Sequence, residues 1–349
     1  MKTQNPQSDL IRDLSKASLV QRLKHITLSA VPAWLGPRVA TASRFHHSIA
    51  VGKLSLLVSG GTKYERLLLT AVSVLHDVGD GPFPHISDQS MKEHLGFTHE
   101  NAVRFAFENS PKEDKRVLDK YGLDLDEVCS VLAGSHQLSK FFYGFPDLDN
   151  ADNIYRFISS IPGKPLGEPL YFPSEIASSF SLNCETQNID SGLKKRWAAD
   201  FEKVYSYVWN DRHNMVCWTM LGRALRILNE ELTPDFFRLT NREAYTLLCK
   251  KLPQWAKGLR QGKYKIALDK KFVELKGDAR KLTCPSNLAS VEQELCKEAR
   301  LKNWMLGITV DQPLMKEKPD HWRVYLVLYD NIETALSLIN NMLSSSEPF

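Results

Sequence analysis

The stretch LLTAVSVLHDVGDGPFPHISD, residues 68–88, decides how the rest of the chain is read. An apolar run ends on His76-Asp77, followed by Gly79, Asp80, Gly81, Pro82, Pro84, His85 and Asp88. The run belongs to TKYERLLLTAVSVLHD, which has the apolar density of a buried helix. Thr62 is its candidate N-cap, after a Gly60-Gly61 break. His76 and Asp77 stand about 100° apart around such a helix. Both can reach one ion only if that ion sits off the helix end, so the abrupt stop implies that the last turn presents ligands. The Gly/Pro turn beyond would return His85 toward the same place.

Outward from this point, six of the ten histidines fall between 46 and 99: His46, His47, His76, His85, His94 and His99. Packing alone rarely gathers so many, because a structural histidine usually stands alone on one hydrogen bond. Imidazole and carboxylate together are the ligand set of a first-row divalent metal. His136 reads as structural or surface.

The remaining pattern is mainly helical. Residues 9 to about 160 carry an i, i+3, i+4 apolar rhythm in DLIRDLSKASLVQRLKHITL and SRFHHSIAVGKLSLLVS. Shorter helices are expected in THENAVRFAFENS, LDLDEVCSVLAGSH and DLDNADNIYRFISSI. Four prolines (Pro162, Pro165, Pro169, Pro173) with Gly163 and Gly167 read as a connector. Long amphipathic helices follow in LKKRWAADFEKVYSYVW and MVCWTMLGRALRILNEEL. KYKIAL and WRVYLVLYD read as strands, and IETALSLINNMLSS as a last helix. The expected architecture is a helical core over 1–160, a connector over 161–175, a helical extension over 176–250 and a smaller, basic α+β lobe over 251–349.

Bulk properties agree with a globular protein. The 349 residues are 43% hydrophobic and 25% charged, with a net charge of +4. No window approaches the ~18 apolar residues of a membrane span. The N-terminal residues lack the apolar segment of a secretory signal. The six cysteines form no CxxC or zinc-ribbon spacing. These features lead to the expectation of a reduced, cytoplasmic protein with no membrane partner. Between Cys249 and Lys281, eleven Lys/Arg stand against three acids. That run is either a solvated surface or a site for an anionic effector, nucleic acid or an acidic face of a second subunit.

The motifs QRLKHI (21–26), RFHHS (44–48), HDVGDGPFPHISD (76–88), THEN (98–101) and ADNIY (151–155) resemble those of the HD-domain metal-dependent phosphohydrolases. Within that superfamily they look most like the deoxynucleoside triphosphate triphosphohydrolases, the branch that includes the sterile-alpha-motif and HD-domain enzyme. The likeness runs over about residues 15–160 and is faint beyond 175. It implies an HD-domain helical core in which His47, His76, Asp77 and Asp152 bind one divalent ion. The ligand types suit Mn, Fe, Co, Ni or Zn, with Mg accompanying the substrate's phosphates. It further implies Asp80, His85 and His99 as catalytic groups, and Arg44, Tyr155 and Arg212 as substrate contacts. The product pair would be nucleoside and triphosphate, and related enzymes assemble as homo-oligomers.

Two departures keep alternatives open. Asp80 stands where the triphosphohydrolases carry His, and an acidic residue there is a feature of HD-domain 5′-nucleotidases. TLSAVPAW after QRLKHI lacks the glutamine that lies near deoxyribose in the triphosphohydrolases. A phosphomonoesterase or phosphodiesterase on another or modified nucleotide is therefore the alternative enzyme. A nucleic-acid-binding or regulatory HD module is the alternative outside catalysis.

Overall fold

The computed structural model describes residues 5–36, 38–99, 102–185, 187–274, 285–311, 321–329 and 337–338. The chain divides into two compact units, residues 1–208 with 234–242, and residues 209–233 with 243–349. The boundary at 208/209 falls within a helix, and the Pro/Gly stretch 161–173 lies inside the first unit.

The first unit is helical. Its elements are α1 (Pro6–Leu14), α2 (Ser18–Arg22), α3 (Arg44–Leu54), α4 (Lys63–Leu75), α5 (Asp88–Leu95), α6 (Val103–Glu108), α7 (Lys112–Lys120), α8 (Leu125–Leu132), α9 (Leu148–Ser160) and α10 (Pro173–Ser178). Most of α11 (Ser191–Asn210) also belongs to it. The central element is α4, which packs on α1 and α3. Every residue from Leu67 to Leu75 is buried. A capping box starts the helix: Thr62 Oγ1 accepts from Glu65 N, and Glu65 Oε2 accepts from Thr62 N at 2.7 Å. Close approach of α3 to α4 depends on Gly52, where a Cβ would lie 2.5 Å from Val74 Cγ2. Leu10, Leu14, Val51, Val72, Leu75 and Ile154 join one core beneath the histidines.

The second unit combines helices with a sheet. It holds α12 (Arg212–Ile227), most of α13 (Asn241–Lys251), α14 (Pro253–Arg260) and α15 (Pro285–Glu298). Strands β1 (Tyr264–Glu274), β2 (Leu306–Asp311) and β3 (His321–Tyr329) form an antiparallel sheet in the order β1-β3-β2. The expected strands correspond to β1 and β3, while β2 was not foreseen. Its sequence LGITVD is short and carries a glycine. That glycine is what α12 requires, because a Cβ on Gly307 would meet Met220 Sδ at 3.0 Å. Leu268, Leu295, Ile308, Val324 and Leu326 fill this unit's core. The fold is thus mainly α with a small C-terminal α+β part.

The expected last helix lies outside the described residues except at 337–338, as do Cys284 and the Lys276–Lys281 end of the basic run. Lys250, Lys251, Lys257, Arg260, Lys263 and Lys265 are exposed, and Lys251 pairs with Glu231 at 2.7 Å. The five described cysteines are free thiols. No helix among the described residues is long and apolar enough to cross a membrane.

Candidate metal centre and its histidine partners

Helix α4 ends at Leu75, and His76 caps it in right-handed conformation. His76 and Asp77 therefore stand at its buried tip, 8% and 3% exposed. His47 approaches from α3, where its side chain is wholly buried. The two Nε2 atoms face each other at 3.2 Å. Asp149, from the first turn of α9, puts Oδ1 2.8 Å from His47 Nε2 and 3.6 Å from His76 Nε2. Asp77 closes the group, with Oδ1 3.4 Å from His76 Nε2 and Oδ2 3.8 Å from His47 Nε2. His76 Nδ1 donates to the Ser73 carbonyl at 2.9 Å, which turns its Nε2 into the group.

The predicted ligand Asp152 lies one turn further along α9 and meets the other side of the His47 ring. Its Oδ2 is 2.8 Å from His47 Nδ1, and Arg156 grips both of its oxygens at 2.6 and 2.8 Å. His47, His76 and Asp149 offer ligand atoms within 4.8 Å of one another; Asp152 is not in that set.

Charge explains the cluster's protonation. Burial opposes a proton on His47, but hydrogen bonds to Asp149 and Asp152 outweigh it and raise the imidazole to about 10. Burial likewise works against charge on Asp149, yet the two histidines hold it well below the usual carboxylate range. Asp147, which caps α9 through Asn150 N at 2.7 Å, is pushed well up by burial and by the neighbouring Asp149. One buried oxygen, Asp77 Oδ2, has no hydrogen-bond partner. A donor set of two imidazoles and two carboxylates, with a desolvated oxygen left unbonded, fits a first-row divalent ion.

A second group adjoins the first. Asp88 Oδ1 accepts from His99 Nδ1 at 2.8 Å, and Asp88 Oδ2 lies 3.6 Å from His85 Nδ1. Burial disfavours charge on His99, but the Asp88 bond and the nearby Asp80 raise it to about 9. His85 is half exposed and sits in left-handed backbone at φ 64°. The Gly/Pro turn gives this placement. Phe83, also left-handed at φ 56°, is buried and donates its N–H to Asn241 Oδ1 at 3.0 Å. Gly79 allows His99 and Ala102 to approach the turn, since a Cβ there would lie 2.6 Å from both His99 O and Ala102 Cβ.

Arg44 and Asp80 join the two groups. Arg44 Nη1 donates to Asp77 Oδ1 at 3.0 Å, and Nη2 donates to His85 Nε2 at 3.2 Å. Its Nε lies 3.1 Å from Asp80 Oδ2 without hydrogen-bond alignment. Asp80 is fully buried, and neither of its oxygens has a hydrogen-bond partner. Burial pushes its carboxyl up; Arg44 works in the opposite direction.

The other predicted contacts are placed differently. The Tyr155 ring packs near Tyr171 and Phe172, at 6.4 and 6.0 Å between centroids, as part of the apolar packing. Arg212 belongs to the second unit, where its Nη2 donates to Ile266 O at 3.3 Å. His136 is structural: its Nδ1 accepts from Leu138 N. Sequence reasoning overlooked Asp149 and Arg156. The signal was present in DLDNADNIYR, where Arg156 follows Asp152 by four residues and marks it as already paired.

No family model matches the sequence, and no curated protein matches it. Solved structures do. A hypothetical protein from Aquifex aeolicus aligns with TM-score 0.66 over 95% of this chain and 95% of its own, at 16% identity. A phosphohydrolase from Bacteroides thetaiotaomicron aligns with TM-score 0.60 over 91% of this chain and 94% of its own, at 15% identity. At these identities the shared property is the fold, and the likeness extends over nearly the whole of each chain.

Proposed function

We propose that this protein is a metal-dependent phosphohydrolase acting on nucleotides. The carrying observation is the meeting of His47 and His76 Nε2 with Asp149 and Asp77 at the buried end of α4. The fold held in common with a phosphohydrolase supports the reading. His47, His76, Asp77 and Asp149 would hold the ion, which supplies Lewis-acid polarisation of a phosphoryl oxygen.

The protein's own groups do the remainder. Arg44, fixed by Asp77, carries positive charge to the junction of the two groups, where a phosphate needs neutralising. His99, held protonated by Asp88, is the proton donor to the leaving oxygen. His85, half exposed beside it, orients the phosphate from the solvent side. Asp80 holds Arg44 and, with its raised pKa, can itself carry a proton.

The motif resemblance favours a deoxynucleoside triphosphate as substrate, released as nucleoside and triphosphate. Asp80 favours the second reading, a nucleotide phosphomonoesterase. A turnover panel decides between them. The protein is incubated with dNTPs, NTPs, dNMPs and NMPs and Mn²⁺, Mg²⁺, Co²⁺ or Zn²⁺, and products are resolved by ion-pair chromatography. Triphosphate with free nucleoside supports the first, and orthophosphate from monophosphates the second. No turnover under any condition rejects both. The exposed cations of α13, α14 and β1 give a further arm. Salt-dependent binding of a polynucleotide without turnover would favour the regulatory module.

A further inference from the structure

His47 is held by carboxylates on both ring nitrogens, and only one side can serve a metal. Its Nε2 faces His76, Asp149 and Asp77. Its Nδ1 faces Asp152 alone among these groups. An imidazole that gives its Nε2 lone pair to an ion must keep its proton on Nδ1. Asp152 is built to accept that proton. Its Oδ2 receives His47 Nδ1–H and Arg156 Nε, and its Oδ1 receives Arg156 Nη2. The carboxylate is 3% exposed, and these three donors occupy both of its oxygens.

Arg156 sits four residues after Asp152 on α9, so one helix carries both members of the pair. The fork of the guanidinium fixes the carboxylate plane as well as its charge. His76 solves the same problem by donating Nδ1–H to the backbone carbonyl of Ser73. The two histidines therefore present the same nitrogen by different means, one through a fixed carbonyl and one through a charged side-chain relay.

We infer that Arg156 and Asp152 are positioning residues that lock the His47 ring with Nε2 toward the metal group, and that Asp149 takes the ligand position on α9. This rests on the metal-centre reading above. Outer partners of ligating histidines are worth about 10- to 100-fold in metal affinity.

The test uses the full chain and two readouts. The first is Mn²⁺ or Co²⁺ affinity by chelator competition in wild type, Asp149→Asn, Asp152→Asn, Asp152→Ala, Arg156→Met and Arg156→Lys. The second is the hydrogen-bonded Nδ1 proton of His47 in metal-free protein, seen by ¹⁵N-resolved NMR. Asp149→Asn should abolish binding. Asp152→Ala and Arg156→Met should weaken it about 10- to 100-fold at unchanged one-to-one stoichiometry. Both should also expose the Nδ1 proton to exchange while the thermal midpoint shows a folded protein. Asp152→Asn, which keeps an acceptor, and Arg156→Lys, which keeps the charge, should recover part of each loss. Asp152→Asn abolishing binding while Asp149→Asn retains it would overturn the inference, because Asp152 would then be the ligand. Unchanged affinity and an unchanged His47 proton in Arg156→Met and Asp152→Ala would overturn it too. Wild type binding neither ion would overturn the metal-centre reading, and the positioning inference with it. The metal-free NMR readout separates that result from a failure of the Asp152 bond alone.

Discussion

Glu292 in the second unit and Asp77 and Asp80 in the first are all carboxylates shut away from water, but their oxygens meet different fates. Glu292 Oε1 accepts from Arg226 Nη2 at 2.7 Å and from Ile308 N at 2.8 Å; Oε2 accepts from Arg223 Nη1 at 2.6 Å and Arg226 Nε at 2.9 Å. Burial works against its charge, yet the two arginines hold it below the usual carboxylate value. That closed group ties α15 to α12 and β2. At the end of α4, by contrast, Asp77 Oδ2 and both oxygens of Asp80 are buried without a hydrogen bond. Leaving such atoms unbonded costs folding free energy. The fold closes the Glu292 oxygens itself, and it leaves the Asp77 and Asp80 oxygens open where the proposed ion and phosphate would sit.

The contrast breaks most readily at the histidines. His76→Ala should remove metal binding and lower kcat/KM by about 10³-fold, the worth of several kcal/mol of phosphoryl stabilisation. Circular dichroism and metal analysis on the same sample would check it, and full turnover would end the distinction between the two sites. Glu292→Ala should do the opposite. It strands Arg223 and Arg226 and should cost about 3–5 kcal/mol of stability in urea unfolding. Metal affinity in the molecules that remain folded should be unchanged.

The two sites should also fail at opposite ends of the pH scale. Glu292 has a folded pKa below its ordinary 4.5, so its contribution is present above pH 4.5 and is lost as pH falls through the lower folded value. His99 is raised from 6.5 to about 9. Its contribution is complete below pH 6.5 and is lost as pH rises through 9. Unfolding midpoints measured across pH in wild type, Glu292→Gln and His99→Gln should show each variant flattening only its own limb. The smallest effect is steric. Gly79→Ala pushes a methyl against His99 O and should cost about 1–3 kcal/mol. Because the clash moves the His99 backbone, kcat should fall more than stability alone explains.

Much of this was legible from residues 62–88. The Thr62 N-cap, the buried α4 and its stop on His76-Asp77 all follow from local rules, because cap, apolar run and stop are contiguous in sequence. The α9 carboxylate that meets the two histidine Nε2 atoms was harder. Asp149 and Asp152 are three residues apart, so both face the same side of a helix. Which one meets Nε2 depends on how α3 crosses α9, a tertiary relation with no local signal beyond Arg156. Tyr155, a substrate contact implied by the motif resemblance, is partly buried and packs against the core. The β2 strand escaped notice because its role is to let α12 approach Gly307, which only the assembled unit reveals. The division between units crosses α11, where nothing in the local composition interrupts a continuous helix.

His85 has one more implication. Its backbone lies in a region that a side chain with a Cβ rarely occupies, whereas glycine occupies it freely. The chain keeps an imidazole where the turn itself would favour having none. A His85→Gly protein should therefore relieve local strain while losing the imidazole that touches Arg44 and faces Asp88. Selection for thermal robustness alone would draw this position toward glycine, and selection for turnover would restore histidine. The residue recovered at position 85 from a randomised library would thus report which of the two pressures had been applied.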